Sequence, residues 1–333
     1  METGKLGPAL TTSEVFELVR GDLQLVETEI GLESVASVEA VTTIGQYLYA
    51  AGGKRLRPAL LLLCARALGG HGASAIRMGA VVEILHAATL VHDDVIDQAE
   101  TRRGRPSTNV QWGNHTCVLA GDWLYMQAFQ IALRERNFHV LDLLISLTQL
   151  MVEGELIQLE RIGKIAITEA DCMELVDRKT AGLFSVCAKL GAVVANAGTA
   201  TEERLGDFAW NLGMAFQLVD DLLDFTAREQ TLGKPVGGDL KEGKVTLPLV
   251  YALERCGAEE RLKIETVLRE RSYRTVSFSE VYSVVERGGG FERVRERANH
   301  FTERARQIVN EIPESPYQRA LYAVTELVID RDH

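Results

Sequence analysis

The sequence predicts an all-α fold, and three observations carry that prediction. Apolar residues recur at helical spacing through most of the 333 residues. Proline is scarce, with 7 in the whole chain, while alanine, leucine, glutamate and valine dominate. No convincing run of alternating apolar and polar residues marks a strand. The helical spacing of residues 12–66 is broken at Gly31 and at Gly52-Gly53. Residues 78–98 form a strong helical pattern. Residues 101–113 are polar and carry Gly104, Pro106 and Gly113, so they read as a loop. Residues 116–135, 140–161, 169–197 and 202–225 read as long helices. Residues 226–244 are rich in glycine and charge and read as a long functional loop. Shorter helices are expected over residues 245–253, 259–270, 279–287, 291–310 and 317–329. Gly288-Gly289-Gly290 reads as a helix-breaking turn, because no strand precedes it as a phosphate cradle requires.

Apolar residues make up 46% of the chain, enough for a large core, and residues 1–333 read as one helical domain. The net charge of −11 argues against a nucleic-acid binder. It leaves room for a polyanionic substrate met through metal ions. Cys64, Cys117, Cys172, Cys187 and Cys256 form no C-x-x-C pair and no metal pattern, which suggests reduced thiols in a cytoplasmic protein. The start, Met1-Glu2-Thr3, lacks a basic segment followed by an apolar one, so no signal peptide is expected. The longest apolar runs read as too short to span a bilayer.

Chemistry concentrates in two clusters of one design. Asp93-Asp94-Val95-Ile96-Asp97 and Asp220-Asp221-Leu222-Leu223-Asp224 both read D-D-x-x-D, each at the end of an apolar helical run. On a helix, positions i and i+4 share a face and i+1 lies beside them, so each motif gathers carboxylates on one patch. Hard divalent ions such as Mg²⁺ take oxygen ligands, keep several waters and bridge carboxylates to substrate phosphates. Two such patches facing each other would hold a metal-bound diphosphate. One copy alone is ordinarily a solvated helix face; two copies, each followed by a basic loop, point to a site. The apolar residues before each motif suit a substrate with a charged head and a greasy tail. Gly52-Gly53-Lys54-Arg55-Leu56-Arg57-Pro58 and Arg102-Arg103-Gly104-Arg105-Pro106 bring cations suited to phosphate oxygens.

Those segments, with His92 to Asp97, Lys179-Thr180, Phe216 to Asp224, and Gly233-Lys234 through Asp239 to Pro248, resemble the trans-type polyprenyl diphosphate synthases. The resemblance covers nearly the whole chain, and its long, ordered motifs make it specific. It implies antiparallel helices around a deep central cavity, the type I isoprenoid synthase fold, in a homodimer. It also implies a Mg²⁺-dependent condensation of isopentenyl diphosphate with an allylic diphosphate. By resemblance, Asp93, Asp97 and Asp220 are the main Mg²⁺ ligands, supported directly or through water by Asp94, Asp221 and Asp224. Arg102, Lys179 and Lys234 bind the allylic diphosphate. Lys54, Arg57, His86 and Arg103 bind that of isopentenyl diphosphate. Thr180 and Gln217 lie near the reacting carbon, and Lys244 belongs to the loop that closes over the site.

The diphosphate leaves an allylic carbocation, the double bond of isopentenyl diphosphate attacks, and a proton is lost. No side chain in these motifs is an obvious strong base, so the departing diphosphate is the expected acceptor. Product length is expected to depend on residues one and two helical turns before Asp93. Ala88 and Thr89 stand where short-chain relatives carry a bulky aromatic. The tail would pass them toward Leu85 and Val81, with Tyr125, Met126, Phe129 and Leu133 forming the opposite wall. Trp123, where phenylalanine is usual, could reshape that cavity. The whole chain looks most like octaprenyl and related long-chain synthases that supply quinone side chains; a geranylgeranyl product follows if Met126 or Phe129 blocks the tunnel. A membrane surface is a candidate transient partner for product release. A terpene cyclase would carry a different second metal motif and lack residues 52–58. An HD-type phosphohydrolase would need more histidines than His92. A non-catalytic subunit of a heteromeric synthase would have lost an acidic motif.

Overall fold

The structure, a computed structural model, describes residues 10–50, 52, 55–102, 104–227 and 236–329. Lys54, Arg103 and Lys234 lie outside the described residues. In chain order the elements are α1 Thr12–Glu17, α2 Arg20–Glu33, α3 Glu39–Ala50, α4 Leu56–Ala67 and α5 Ala73–Ile96. A two-residue hairpin follows, β1 Thr101–Arg102 against β2 Arg105–Pro106. Then come α6 Thr108–Trp112, α7 Asn114–Leu133, α8 Phe138–Arg161 and α9 Glu169–Val176. A π-helical turn, Asp177–Ala181, joins α9 to α10 Gly182–Val194, before α11 Thr199–Thr226. The last helices are α12 Gly238–Lys241, α13 Leu247–Leu253, α14 Ala258–Glu270, α15 Phe278–Arg287, α16 Gly290–Val309 and α17 Pro316–Ile329. The all-α expectation holds. The polar stretch 101–113 contains more order than a loop, with the hairpin and α6, and the helix expected over 169–197 is interrupted by the π turn. Ser277 and Thr168 cap α15 and α9 in capping boxes with Glu280 and Asp171, which is why those helices start there.

The chain packs into two compact units. The first comprises residues 1–146, 184–209 and 307–324; the second comprises residues 147–183, 210–306 and 325–333. In the first unit, α5 runs against α2, α4 and α7. Met78, Ile84 and Leu85 of α5, Leu60 to Leu63 of α4 and Leu124 of α7 are fully buried. Truncating any of them to alanine removes roughly 2–5 kcal/mol. Helix α5 is long and apolar enough to cross a membrane, yet 72% of its most apolar window is buried inside the protein, which is the behaviour of a core helix. Gly191 lets α10 lie on α4: a Cβ there would sit 2.6 Å from the Leu61 carbonyl oxygen.

In the second unit, α13 begins with Pro248 near its N-terminus and packs against α9 and α15. Gly290 allows α16 to start against it, since a Cβ there would meet the Pro248 carbonyl oxygen at 2.4 Å. Gly289 has φ +72°, so residues 288–290 form the expected helix-breaking turn. Phe225, near the end of α11, stacks with Phe278 and meets Phe291, so the end of that helix is set in an aromatic cluster.

Candidate active site

The first acidic motif closes α5. Asp97 is the C-cap, and its N–H donates to the Asp93 carbonyl oxygen at 2.8 Å, which keeps the turn helical through the motif. Asp93 and Asp97 are half-buried, and so are His86, Thr89 and Leu90 on the same side of the helix. Ala87, Ala88 and Val91 between them are buried. Between residues 78 and 91, helix α5 thus opens only at His86, Thr89 and Leu90, which continue as one stripe into Asp93 and Asp97. The Thr89 hydroxyl donates back to the His86 carbonyl oxygen at 2.7 Å and so turns its polar atom toward its own backbone. Tyr125 of α7 keeps its phenol protonated well above the ordinary range, chiefly because it is buried and secondarily because the charges of Asp93 and Asp122 oppose a third anion.

Asp94 differs from its neighbours. It is 0% exposed. Its Oδ1 accepts from Arg102 Nε at 2.5 Å, and its Oδ2 accepts from the Thr108 N–H at 3.1 Å and the Thr108 hydroxyl at 3.0 Å. Asp94 therefore ties the hairpin and α6 to α5, and it sets Arg102 beside the motif. The hairpin is held from its other side as well: the Tyr47 hydroxyl donates to the Pro106 carbonyl oxygen at 2.8 Å, and the Tyr47 ring meets Trp112 edge-on. Arg57 lies in the first turn of α4 with its guanidinium 5.7 Å from the centre of the Phe184 ring.

His92 and Gly121 fix where α7 crosses this motif. A Cβ on Gly121 would lie 2.2 Å from His92 Nε2, while that nitrogen is 3.0 Å from the Val118 carbonyl oxygen. Gly121→Ala is accordingly expected to force α5 and α7 apart beside Asp93. The expected cost is about 1–3 kcal/mol in chemical denaturation, with a drop in turnover beyond what the loss of folded protein explains.

The second unit carries its own site. Asp220 is half-buried, and Asp221 and Asp224 are buried. Asp221 accepts from Gln217 Nε2 at 2.9 Å, and Gln217 Oε1 accepts from the Thr180 hydroxyl at 2.8 Å. The Asp221 carboxyl is pushed well above the usual carboxylate range, first by burial and then by the charge of Asp239, with Asp220 and Asp224 adding to it. Asp224 Oδ2 accepts from the Asp239 N–H at 3.3 Å, which brings that fourth carboxylate to the motif. Lys179 and Thr180 are presented by the π turn, a deformation found often at functional sites. Trp210 Nε1 donates to Asp177 Oδ1 at 2.6 Å and anchors the turn's first residue. Gly154 of α8 admits it, since a Cβ there would fall 2.8 Å from Arg178 Cβ. Lys179 donates to Gln158 at 3.0 Å and pairs with Glu155.

These groups line a cavity of about 250 Å³ within the second unit, bounded by Gln158, Lys179, Thr180, Gln217, Asp221 and Lys244 among others. Lys244 pairs with Glu242 at 2.7 Å. Cys172 also lines the cavity, its thiol pushed up to about 12, mainly by burial. The structure thus gathers Lys179, Thr180, Gln217, Asp221 and Lys244 around one space. It also adds Gln158 to the wall and Glu155 as a partner of Lys179, neither named in the motif reading, and gives Asp239, named there only within a motif segment, a place beside Asp224. Glu155 and Gln158 lie three apart on α8 beside Gly154, a spacing that only the packing of the π turn makes meaningful. Met126 and Leu133, expected to wall the product tunnel, are instead 63% and 46% exposed on the outer side of α7. The wall residues that stay inward are Tyr125, buried, and Phe129, half-buried.

Among the described residues, no three His, Cys, Asp or Glu side chains form a closed metal cage. The donors in both motifs are nonetheless all carboxylate oxygens, and the second set is a buried cluster of like charges. That chemistry fits a hard divalent cation which keeps waters and takes further oxygens from a ligand.

The polyprenyl synthetase family profile matches residues 38–285. The chain is 36% identical to octaprenyl diphosphate synthase of Haemophilus influenzae over 97% of this chain and 98% of that one. It is 38% identical to an all-trans-nonaprenyl-diphosphate synthase of Rhodobacter capsulatus over 96% and 97% of the two. Its structure superposes on that of a polyprenyl synthase from Caulobacter crescentus complexed with calcium and isoprenyl diphosphate, with a TM-score of 0.92, 32% identity and coverage of 97% and 98%.

Proposed function

The chain belongs to the polyprenyl synthetase family, and from that membership we propose that it extends an allylic diphosphate, farnesyl diphosphate above all, to a long product such as octaprenyl diphosphate. It is a prenyltransferase that joins isopentenyl units in trans. One observation carries the assignment of roles: the hydrogen-bonded chain Thr180–Gln217–Asp221, which links the second acidic motif to the cavity wall that presents Lys179.

Asp93 and Asp97, and Asp220 with Asp221, Asp224 and Asp239, would hold Mg²⁺; bound there, the ions would neutralise charge on the leaving diphosphate. Arg102, held by Asp94, and Lys179, held by Gln158 and Glu155, would supply positive charge to the leaving group. Lys234 would join them, and Lys54, Arg57, His86 and Arg103 would take the diphosphate of isopentenyl diphosphate. Thr180 and Gln217 would lie near the reacting carbon. Lys244 belongs to the closing segment. The apolar part of the cavity wall, Ile162, Leu175, Val176 and Val245, would keep water from quenching a carbocation. The departing diphosphate accepts the proton.

The half-open Thr89 on the stripe beneath Asp93, with a small side chain, supports a long product. The reading includes a cytoplasmic enzyme serving quinone side chains, and the five cysteines, all free thiols, suit that compartment. It also includes a homodimer. Phe138, Ile145, Val152 and Leu159 repeat every seven residues on α8 and are all exposed, and Leu119, Met126 and Leu133 do the same on α7. Seven-residue apolar seams on a soluble chain are what a partner helix covers. Replacing both Ile145 and Val152 with aspartate is expected to yield monomer in sedimentation at concentrations where the parent is dimeric.

The direct test of the reaction follows consumption of farnesyl diphosphate with and without isopentenyl diphosphate. Consumption that requires isopentenyl diphosphate, stops on chelation and returns with Mg²⁺ supports condensation. Equal consumption without it, releasing cyclic or hydrolysed products, would assign a cyclase instead.

A further inference from the structure

Between the glycine pair at 52–53 and Arg57 stands a residue whose backbone is costly. Arg55 is the N-cap of α4 with φ +47° and ψ +37°, in the left-handed region. For a non-glycine residue that conformation costs roughly 1 kcal/mol or more. Its side chain makes no cap bond to the helix, so helix initiation does not explain an arginine there.

What the side chain does is reach across to α5. Nη1 donates to Glu83 Oε1 at 2.8 Å, and Nη2 donates to the Tyr49 carbonyl oxygen at 3.3 Å. Nε lies 3.4 Å from Glu27 Oε1, and the guanidinium sits 5.8 Å from the centre of the Tyr49 ring. The Arg55 and Glu83 side chains are only 13% and 10% exposed. A desolvated pair of this kind adds little net stability, but it fixes geometry strongly, because either partner left alone is a buried charge. Glu83 stands one helical turn before His86 on α5, and Arg55 stands two residues before Arg57 on α4. The pair therefore locks the start of α4, with Arg57, to the stretch of α5 that carries His86. It reaches α5 ten residues before Asp93, away from the metal-binding end of the helix.

We propose that the Arg55–Glu83 ion pair is a positioning device for the isopentenyl diphosphate subsite, setting Arg57 relative to His86 without itself touching substrate. This rests on the assignment of Arg57 and His86 to isopentenyl diphosphate. It separates the two substrates energetically: loosening the pair weakens the acceptor and leaves the allylic diphosphate held as before.

The test is steady-state kinetics on Glu83→Gln and on the double variant Arg55→Met/Glu83→Gln, each with thermal melting. The double variant removes both charges, so no buried ion is left unpaired and folding is preserved. The expected result is a KM for isopentenyl diphosphate raised about tenfold in both, with the allylic KM and kcat within about twofold of the parent. An unchanged isopentenyl diphosphate KM in a folded variant overturns the proposal. So does a rise in both KM values together, which marks a general loosening of the fold. If the parent protein itself turns over no isopentenyl diphosphate, the functional assignment fails instead, and the two failures are told apart by that control.

Discussion

Replacing Asp93 or Asp220 with alanine is expected to lower kcat by about 10³-fold, roughly 4 kcal/mol of transition-state stabilisation, while the protein stays folded. Both carboxylates are half-buried at helix positions that make few demands on the core. In the proposed mechanism they act on charge that develops on the leaving diphosphate, so the loss is expected to fall on turnover. Asp94→Ala makes the contrast within one motif. That carboxylate is fully buried and holds Arg102 Nε and both Thr108 donors. Its removal is expected to cost about 3 kcal/mol of stability and to free the hairpin. Melting curves beside single-turnover rates separate the two outcomes. If Asp93→Ala and Asp94→Ala behave alike, the division of labour within the motif is wrong.

Thr89→Phe is expected to shorten the product from octaprenyl length to geranylgeranyl or less. Thr89 lies one turn below Asp93 on the half-open stripe that leads to the motif, so a tail anchored at Asp93 would meet it within about 6 Å. A phenyl group there ends the path. Ala88→Phe serves as the comparison. Ala88 is buried and points away from that stripe, so the same ring is expected to overpack the core and cost about 1–3 kcal/mol instead of trimming the product. Chromatography of the dephosphorylated products reads chain length directly. An unchanged product from folded Thr89→Phe would remove the stripe from the product path.

Much of this was legible in the chain. The two D-D-x-x-D motifs, their helices and the cations around them follow from spacing alone, because helical periodicity decides which carboxylates share a face. The turn at 288–290 was legible for the same reason: consecutive glycines inside a helical pattern have few other uses. The π turn at 177–181 was not. One extra residue in a turn leaves no mark on a pattern read at 3.6, and only the backbone bond from the Gly182 N–H to the Asp177 carbonyl oxygen, five residues back, exposes it. The hairpin at 101–106 was hidden because two-residue strands are too short to alternate. Met126 and Leu133 were misplaced because an apolar residue on a helix reads alike whether it faces inward or outward; only their exposure separates them from Tyr125 and Phe129. Asp94 could not be told from Asp93 by sequence, since what separates them is Thr108, fourteen residues on.

The most direct measurement is the product profile of the purified chain supplied with Mg²⁺, isopentenyl diphosphate and farnesyl diphosphate. A ladder of trans products ending near octaprenyl diphosphate is the predicted result. No elongation of any allylic starter would contradict the account and make this chain a non-catalytic subunit, and a ladder stopping at geranylgeranyl would contradict the open path past Thr89.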